Sequence, residues 1–357
     1  MKFELIEPEV FRQFADKSPY KSFYQTPEIA KLREQNGWTV YYFGAKNGTK
    51  LVAAAMITAR PTFLGKSTYY CPGGPLLDYE DADLVNFFFS HLRRYAKTHN
   101  GYLLHIEPYY ELLERDRHGD PVPGGFNHQQ AITNLKQAGL TPCPTSDEPK
   151  YAFVLDLSKR TPDTLFKQFK QNTRNLIHRA EKKGVKVREL KREELNIFKQ
   201  ITSSTSDRRN FQDKPLAYYE QMYDLFHAKG QVKFLVAETT APISCAMFML
   251  YGDEVTYLFS GSEEKYMKEY NAQYLIQWHM IKYSAEHKFK RYNFYGLQAL
   301  PNESKQGYGI YSFKKGFASD NQGHVTELIG AHEMSLNTPF YQLHHALSAL
   351  KSKLRKP

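Results

Sequence analysis

Cysteine is scarce: the chain has three, Cys71, Cys143 and Cys245, in 357 residues. They are odd in number, far apart and without CxxC spacing, so neither a disulfide framework nor a zinc site is indicated, and a reducing cytosol is the expected setting. The 13 histidines show no HExxH or other paired metal spacing, and no Ser-His-Asp or Cys-His arrangement is suggested. Long hydrophobic runs are absent too. No segment approaches about 18 uncharged apolar residues, and the stretch from Met1 to Pro8 carries acidic residues where a leader would have its apolar region. RRM and KH signatures are missing, which weakens a purely RNA-binding reading.

What is present is positive charge and aromatic surface. Lys and Arg number 48 against 38 Asp and Glu, a formal charge of +10 with 15% aromatic residues, and this favours an anionic partner: nucleic acid, nucleotide or acidic lipid. The length suggests two domains.

Strand-like runs at 38–43, 51–57, 67–71 and 102–106, with a helical period over 81–96, point to an α/β first half. The Gly- and Pro-rich stretch 107–127 reads as a loop, a helix follows over 128–138, and 142–149 is the best linker candidate. The pattern then restarts. A strand is expected at 151–156, helices at 193–203 and 216–228, strands at 232–238, 243–251 and 254–260, a helix at 271–287 and a strand at 291–295. Two units of one type suggest an internal duplication, although no residue-level repeat supports it.

The segment NTRNLIHRAEKKGV, Asn172 to Val185, reads as a basic helix stopped by Gly184 and followed by a short strand. Arg174, His178 and Lys182 recur every fourth residue with Arg179 and Lys183 beside them, while Leu165, Phe169, Leu176, Ile177 and Ala180 offer a core face. Two readings stand: a solvated amphipathic face, or a grip on phosphate. A second basic block, FKKGF from Phe313 to Phe317, lies far downstream.

Four segments in order resemble motifs of the FemABX family of tRNA-dependent peptidyl aminoacyltransferases. They are Leu155 to Leu157 with the basic helix, Tyr257 to Ser262 (YLFSGS), Arg291 to Gly296 (RYNFYG) and Gly309 to Phe317 (GIYSFKKGF). The resemblance implies two tandem GNAT-like (acyl-CoA N-acyltransferase-like) α/β domains, about 1–147 and 148–324, with the C-terminal segment 325–357 packing back on the first. It implies transfer of Ala, Ser or Gly from aminoacyl-tRNA to the stem-peptide amine of a peptidoglycan precursor, either UDP-MurNAc-pentapeptide or lipid II, forming the interpeptide bridge. No cofactor or metal is implied beyond the tRNA donor. The long coiled-coil arm of some members has no counterpart here, and Tyr295 stands where the family usually carries glycine.

Carried over residue by residue, the resemblance points to Lys314 with Phe313 as the catalytic pair, Lys314 serving as oxyanion stabiliser or phosphate anchor. Precursor binding falls to Lys31 and Arg33 near Trp38, to Arg208, Lys214 and Tyr218, and to Tyr257 and Phe259 at a strand end. Arg174, Arg179, Lys182, Lys183 and Lys315 are the candidates for tRNA. Ordinary structural readings stand beside these: surface lysines on a strand or turn for Lys314 and Lys315, a solvated loop for 207–218, and core packing for Tyr257 and Phe259, one of which alternation is expected to turn inward. Asp156 and Glu107 are strand-end carboxylates suited to capping or to orienting an amine.

The rival enzyme is a CoA-dependent GNAT-type N-acyltransferase, which needs a glycine-rich loop opening a helix onto pyrophosphate. The corresponding stretch here, Lys265 to Gln273, has no glycine. A non-catalytic RNA-binding protein is the rival of another class. The basic tail from Lys351 to Lys356 is either a solvated helix end or a peripheral contact with the anionic inner membrane leaflet. The transferred amino acid, the form of the acceptor and the oligomeric state are left open by the sequence.

Overall fold

The computed structural model describes residues 1–209, 211–301, 304, 307–318 and 322–354, with side chains excluded at 345 and 348–354. The chain divides into two compact units: Met1–Leu113 with Phe126–Lys150 and Leu328–Pro357, and Glu114–Gly125 with Tyr151–Glu327.

The first unit opens with β1 (Lys2–Leu5), α1 (Pro8–Lys17), α2 (Pro27–Gln35), β2 (Thr39–Asn47), β3 (Lys50–Pro61) and β4 (Ser67–Gly73). It continues through α3 (Ala82–Thr98), β5 (Gly101–Pro108), β6 (Glu111–Glu114), α4 (Gln129–Gln137) and β7 (Thr141–Pro142). The second unit runs β8 (Tyr151–Asp156), α5 (Pro162–Gln168), α6 (Gln171–Lys182), β9 (Lys186–Glu189), α7 (Leu195–Arg209) and α8 (Leu216–Phe226). Then come β10 (Val232–Glu238), β11 (Pro242–Tyr251), β12 (Glu254–Ser262), α9 (Glu264–Tyr270), α10 (Ala272–Glu286), β13 (Arg291–Leu297), α11 (Tyr308–Lys315) and β14 (Gly323–Leu328). The chain finishes with β15 (His332–Ser335) and α12 (Thr338–Leu354).

The first sheet is ordered β1-β2-β3-β4-β5-β15-β7, so the C-terminal strand lies between two strands of the N-terminal half. The second contains β14-β8-β13-β12-β11-β10-β9 in that order. Among the described strand pairings, each sheet has one parallel pair, β4 with β5 and β12 with β13, beside antiparallel neighbours. A parallel connection has to cross the sheet, and α3 does so in one unit and α10 in the other. The architecture therefore repeats although the residues do not.

Local chemistry explains the elements that matter for the site. Asp81 caps α3 through the Leu84 amide, and α3 buries Leu84, Val85, Phe88, Phe89 and Leu92 on one stripe. In α6 the buried residues are Thr173, Ile177 and Ala180, and Gly184 follows at a φ of 75°, where a left-handed residue ends the helix. Leu165 and Phe169 of the expected core face belong to α5 and its end, and Leu176 is only half-buried.

The expected division, 1–147 with 325–357 against 148–324, is corrected in three places: 114–125 and 325–327 belong to the second unit, and 148–150 to the first. Arg115 Nε meets a Glu327 carboxylate at 2.6 Å, and the Val325 amide donates to the Asp116 carbonyl at 3.1 Å. The stretch read as loop, 107–127, also contains β6.

Candidate functional site

In open α/β sheets, ligands sit beyond the carboxyl ends of strands, where neighbours diverge. β12 and β13 pair only from Glu254 opposite Arg291 to Thr256 opposite Asn293, yet β12 runs on to Ser262 and β13 to Leu297. Past that third rung the two strands part.

The β13 side of the opening is built around a turn. Tyr295 has a φ of 62°, a left-handed conformation disfavoured for a bulky residue, and its amide donates to Asn293 Oδ1 at 2.7 Å. The pairing with β8 shifts register between Asn293 and Gly296. Two carbonyls are taken up by a lysine as a result: Lys314 Nζ donates to the Tyr295 oxygen at 2.9 Å and to the Gly296 oxygen at 2.6 Å. This conformation gives a physical reason for glycine being usual at position 295.

Lys314 is 4% exposed and lies on α11, so the surface strand-or-turn reading is corrected. Burial pushes its ammonium pKa down to about 7. Phe313 packs edge-on to Tyr274 at 4.9 Å and to Phe317 at 5.4 Å. Lys315 donates to His118 Nδ1 at 2.8 Å and lies over the Tyr311 ring.

The β12 side carries the other half. A bulge in β12 opposite Met247 and Phe248 of β11 leaves Leu258 unmatched and sends Tyr257 and Phe259 to opposite faces. Tyr257 stacks on Phe248 and bonds to Ser260 and Gln273, whereas Phe259 meets Tyr218 and Tyr219 edge-on. Both are half-buried, so neither is simply core. Gln273 and Tyr274, the second and third residues of α10, link the two sides: Gln273 holds Tyr257, Ser244 and the Gly261 carbonyl, while Tyr274 packs on Phe313.

Lys214 and Tyr218 come together beside Phe259, with Lys214 Nζ 5.6 Å from the Tyr218 ring centre. The support is Asp213, which sequence reading missed. Its carboxylate accepts from Lys199 at 2.6 Å, Thr202 at 2.8 Å and Tyr219 at 2.6 Å. Burial raises its pKa, but these three donors more than offset that and hold it below the usual range. Only the D-x-P neighbourhood hinted at a pinned loop. Arg208 is half-buried and reaches the Ser262 carbonyl at 3.3 Å.

In the first unit Arg33 lies over Trp38 at 5.2 Å and over Tyr70 at 5.3 Å, with Arg60 on Trp38 at 5.6 Å. Lys31 is exposed and has no place in this cluster; two helical positions from Arg33, it points elsewhere. Glu107 is committed to Tyr70, His105, Ser146 and the Asp147 amide. Asp156 accepts from the Ser158 amide and pairs with Arg160, as a strand-end cap does.

The tRNA candidates separate by partner. Arg174 folds back onto the end of α5, donating to the Lys167 and Phe169 carbonyls at 2.6 Å each, and to Gln171 at the start of its own helix. Arg179 and Lys182 are exposed, and Lys183, also exposed, pairs with Glu269 at 3.2 Å. Of the tail from Lys351 to Lys356, the side chains lie outside the described residues. Where a CoA loop would be, α9 and Asn271, at a φ of 54°, occupy the chain between β12 and α10.

Two mixed sheets, each with one parallel pair and a helical crossover, define a tandem GNAT-like protein. Among solved structures, FemX superposes with a TM-score of 0.80 at 20% identity, covering 96% of this chain and 99% of that one. A tandem GNAT protein from the clavulanic acid biosynthesis pathway gives 0.56 at 11% identity, covering 94% and 98%. The FemAB family model matches residues 6–242 and 237–349, and the chain belongs to that family. The aminoacyltransferase FemA of Staphylococcus aureus is 27% identical over 427 aligned positions, covering 99% of this chain and all of that protein. Against 357 residues here, at least 70 of those positions have no counterpart in this chain. Among the described residues no helix exceeds 17 residues, and no helix is long and apolar enough to cross a membrane.

Proposed function

We infer that the chain is an aminoacyl-tRNA-dependent transferase that moves an amino acid onto the stem-peptide amine of a peptidoglycan precursor, building the interpeptide bridge. Family membership supports the reaction, and the opening between β12 and β13, headed by Lys314, is the observation that carries the site. The acceptor nitrogen attacks the ester carbonyl of the charged tRNA, the carbonyl electrons move onto oxygen, and the collapsing intermediate expels the ribose hydroxyl, which takes up the proton. The ester is already activated, so the protein's work is positioning and stabilising the oxyanion.

Lys314 suits that work. An ammonium has three donors, and two are spent on the Tyr295 and Gly296 carbonyls, leaving one for the developing charge. Because burial weakens its hold on a proton, negative charge arriving in the transition state has more to stabilise than in the ground state. Lys214, Tyr218 and Phe259 supply a cation and rings for an anionic, sugar-bearing acceptor; Arg208 supports the same strand end, and Arg33 with Trp38 forms a second such pairing. Arg179, Lys182 and Lys183 offer cations to tRNA phosphate. The proposed workplace is the cytoplasm with peripheral contact at the membrane, favoured by exposed Leu343 and Leu347 on the helix leading to the basic tail.

Transfer of labelled Ala, Ser and Gly from charged tRNA onto UDP-MurNAc-pentapeptide and lipid II tests this. Transfer to one acceptor, strongly reduced in Lys314→Ala, is expected. Turnover of acetyl-CoA with no aminoacyl transfer would overturn it.

A further inference from the structure

Three potential metal ligands meet on the first sheet, each from a different segment. His105 on β5 stands directly opposite Glu333 on β15, and Glu333 is in turn opposite Thr141 on β7. Cys143 follows one residue after β7, where its amide donates to the Ala331 carbonyl at 2.9 Å. The imidazole, thiol and carboxylate donor atoms lie within 4.8 Å of one another, and all three residues are half-buried.

The surroundings fit ligation. A metal-binding imidazole is as a rule held through its second nitrogen by a carboxylate, a backbone carbonyl or water. Here Glu107, 3% exposed, lies 2.9 Å from His105 Nε2, which leaves Nδ1 to coordinate. Glu107 is itself fixed by the Tyr70 hydroxyl at 2.7 Å, the Asp147 amide at 2.8 Å and Ser146 at 3.1 Å. Glu333 is steadied by the Tyr341 hydroxyl. None of these contacts requires an ion, but together they fix the His105 ring and the Glu333 carboxylate where both lie within reach of Cys143.

We propose that His105, Cys143 and Glu333 form a zinc site in the first unit, with a fourth position open. The donor set selects the metal: thiolate and imidazole suit Zn2+, whereas Mg2+ and Ca2+ take oxygen ligands. A thiolate, a carboxylate and a neutral imidazole balance the ion's charge. Tetrahedral bonds bring donors to about 3.4 Å apart, so from separations within 4.8 Å the cluster closes by at most about 1.4 Å, a shift within reach of side-chain rotation. The ion ties the start of the linker and the C-terminal strand to β5, a structural role separate from transfer at β12 and β13. Sequence spacing concealed it because the ligands are 38 and 190 residues apart along the chain.

The test is titration of the untagged, metal-stripped protein with Co2+ and then Zn2+, followed by absorption and thermal melting. One equivalent of Co2+ should produce a thiolate-to-cobalt charge-transfer band that Zn2+ displaces, and Zn2+ should raise the melting temperature. Cys143→Ser should abolish the band, and His105→Ala and Glu333→Gln should each weaken binding by at least about tenfold, while Glu107→Gln weakens it about 10- to 100-fold and keeps the band. Circular dichroism of the metal-free variants establishes that they fold, and any that does not is replaced by its conservative partner, Cys143→Ala or His105→Gln. Absence of the band at one equivalent, or its persistence in Cys143→Ser, overturns the proposal.

Discussion

The two parallel strand pairs are built alike and end differently. In the first unit β4 and β5 stay paired from Ser67 opposite Gly101 to Gly73 opposite Pro108. Gln25 helps keep that sheet closed: its side chain accepts from the Met56 amide and donates to the Met56 and Pro72 carbonyls, and Tyr70 is bonded across to Glu107. In the second unit β12 and β13 separate after three rungs, Tyr295 turns left-handed, and Lys314 takes the Tyr295 and Gly296 carbonyls. The same fold has thus been sealed once and opened once. The proposed acyl chemistry is assigned to the opening, and the closed copy is proposed to bind and to support.

Lys314→Ala attacks that difference most directly. It should lower kcat/KM for transfer by about 100- to 1,000-fold, the usual loss when an oxyanion donor is removed. Single-turnover rates check this, and a rate equal to the parent's would place the chemistry elsewhere. Asp213→Ala should come next in size. It strips a part-buried hydrogen-bond network from the loop holding Lys214 and should cost about 1–3 kcal/mol of stability, read in urea, together with a higher KM for the precursor.

The third expectation concerns pH. The folded pKa of Lys314, about 7, lies below that of an unfolded lysine, so between pH 7 and 9 the unfolded chain binds more protons. Stability should therefore rise with pH in that window, by at most about 1.4 kcal/mol per unit, and level off at its lower value below about pH 7, where both states hold the proton. Denaturant unfolding of Lys314→Met at pH 7 and pH 9 tests the assignment: a slope unchanged from the parent would contradict it. The smallest effect falls on the turn. Tyr295→Gly should retain transfer and stay within about 1 kcal/mol of the parent, whereas Tyr295→Val, barred by its branched side chain from a φ of 62°, should lose about 1–3 kcal/mol.

Period and punctuation made much of the second unit legible. The strands at 151–156 and 232–238 have the limits expected for them, because apolar runs there are bounded by turn residues. The same signals missed α1, α9 and α11: α9 and α11 are seven and eight residues long, too short to set a period, whereas α1 does carry helical spacing in Val10, Phe11, Phe14 and Ala15 that went unread beside Pro8. Helical spacing made Arg174 and Arg179 equal candidates, yet Arg174 is spent on the carbonyls of the preceding helix end, a contact between segments that no spacing rule encodes. The same holds for Lys314. Its burial depends on two carbonyls 18 and 19 residues upstream, freed by a single backbone angle.

The place of β15 has a consequence for how the protein is made. Its partners β5 and β7 leave the ribosome long before His332 does, so the edge of β5 that β15 will cover waits for more than 200 residues. At about 5–20 residues per second that is roughly ten to forty seconds of bare, sticky edge, during which the later-made half can finish folding first. A stop codon ahead of His332 should therefore leave the N-terminal half protease-sensitive and the C-terminal half resistant, and an N-terminal half as resistant as in the full chain would show that the final strand is dispensable.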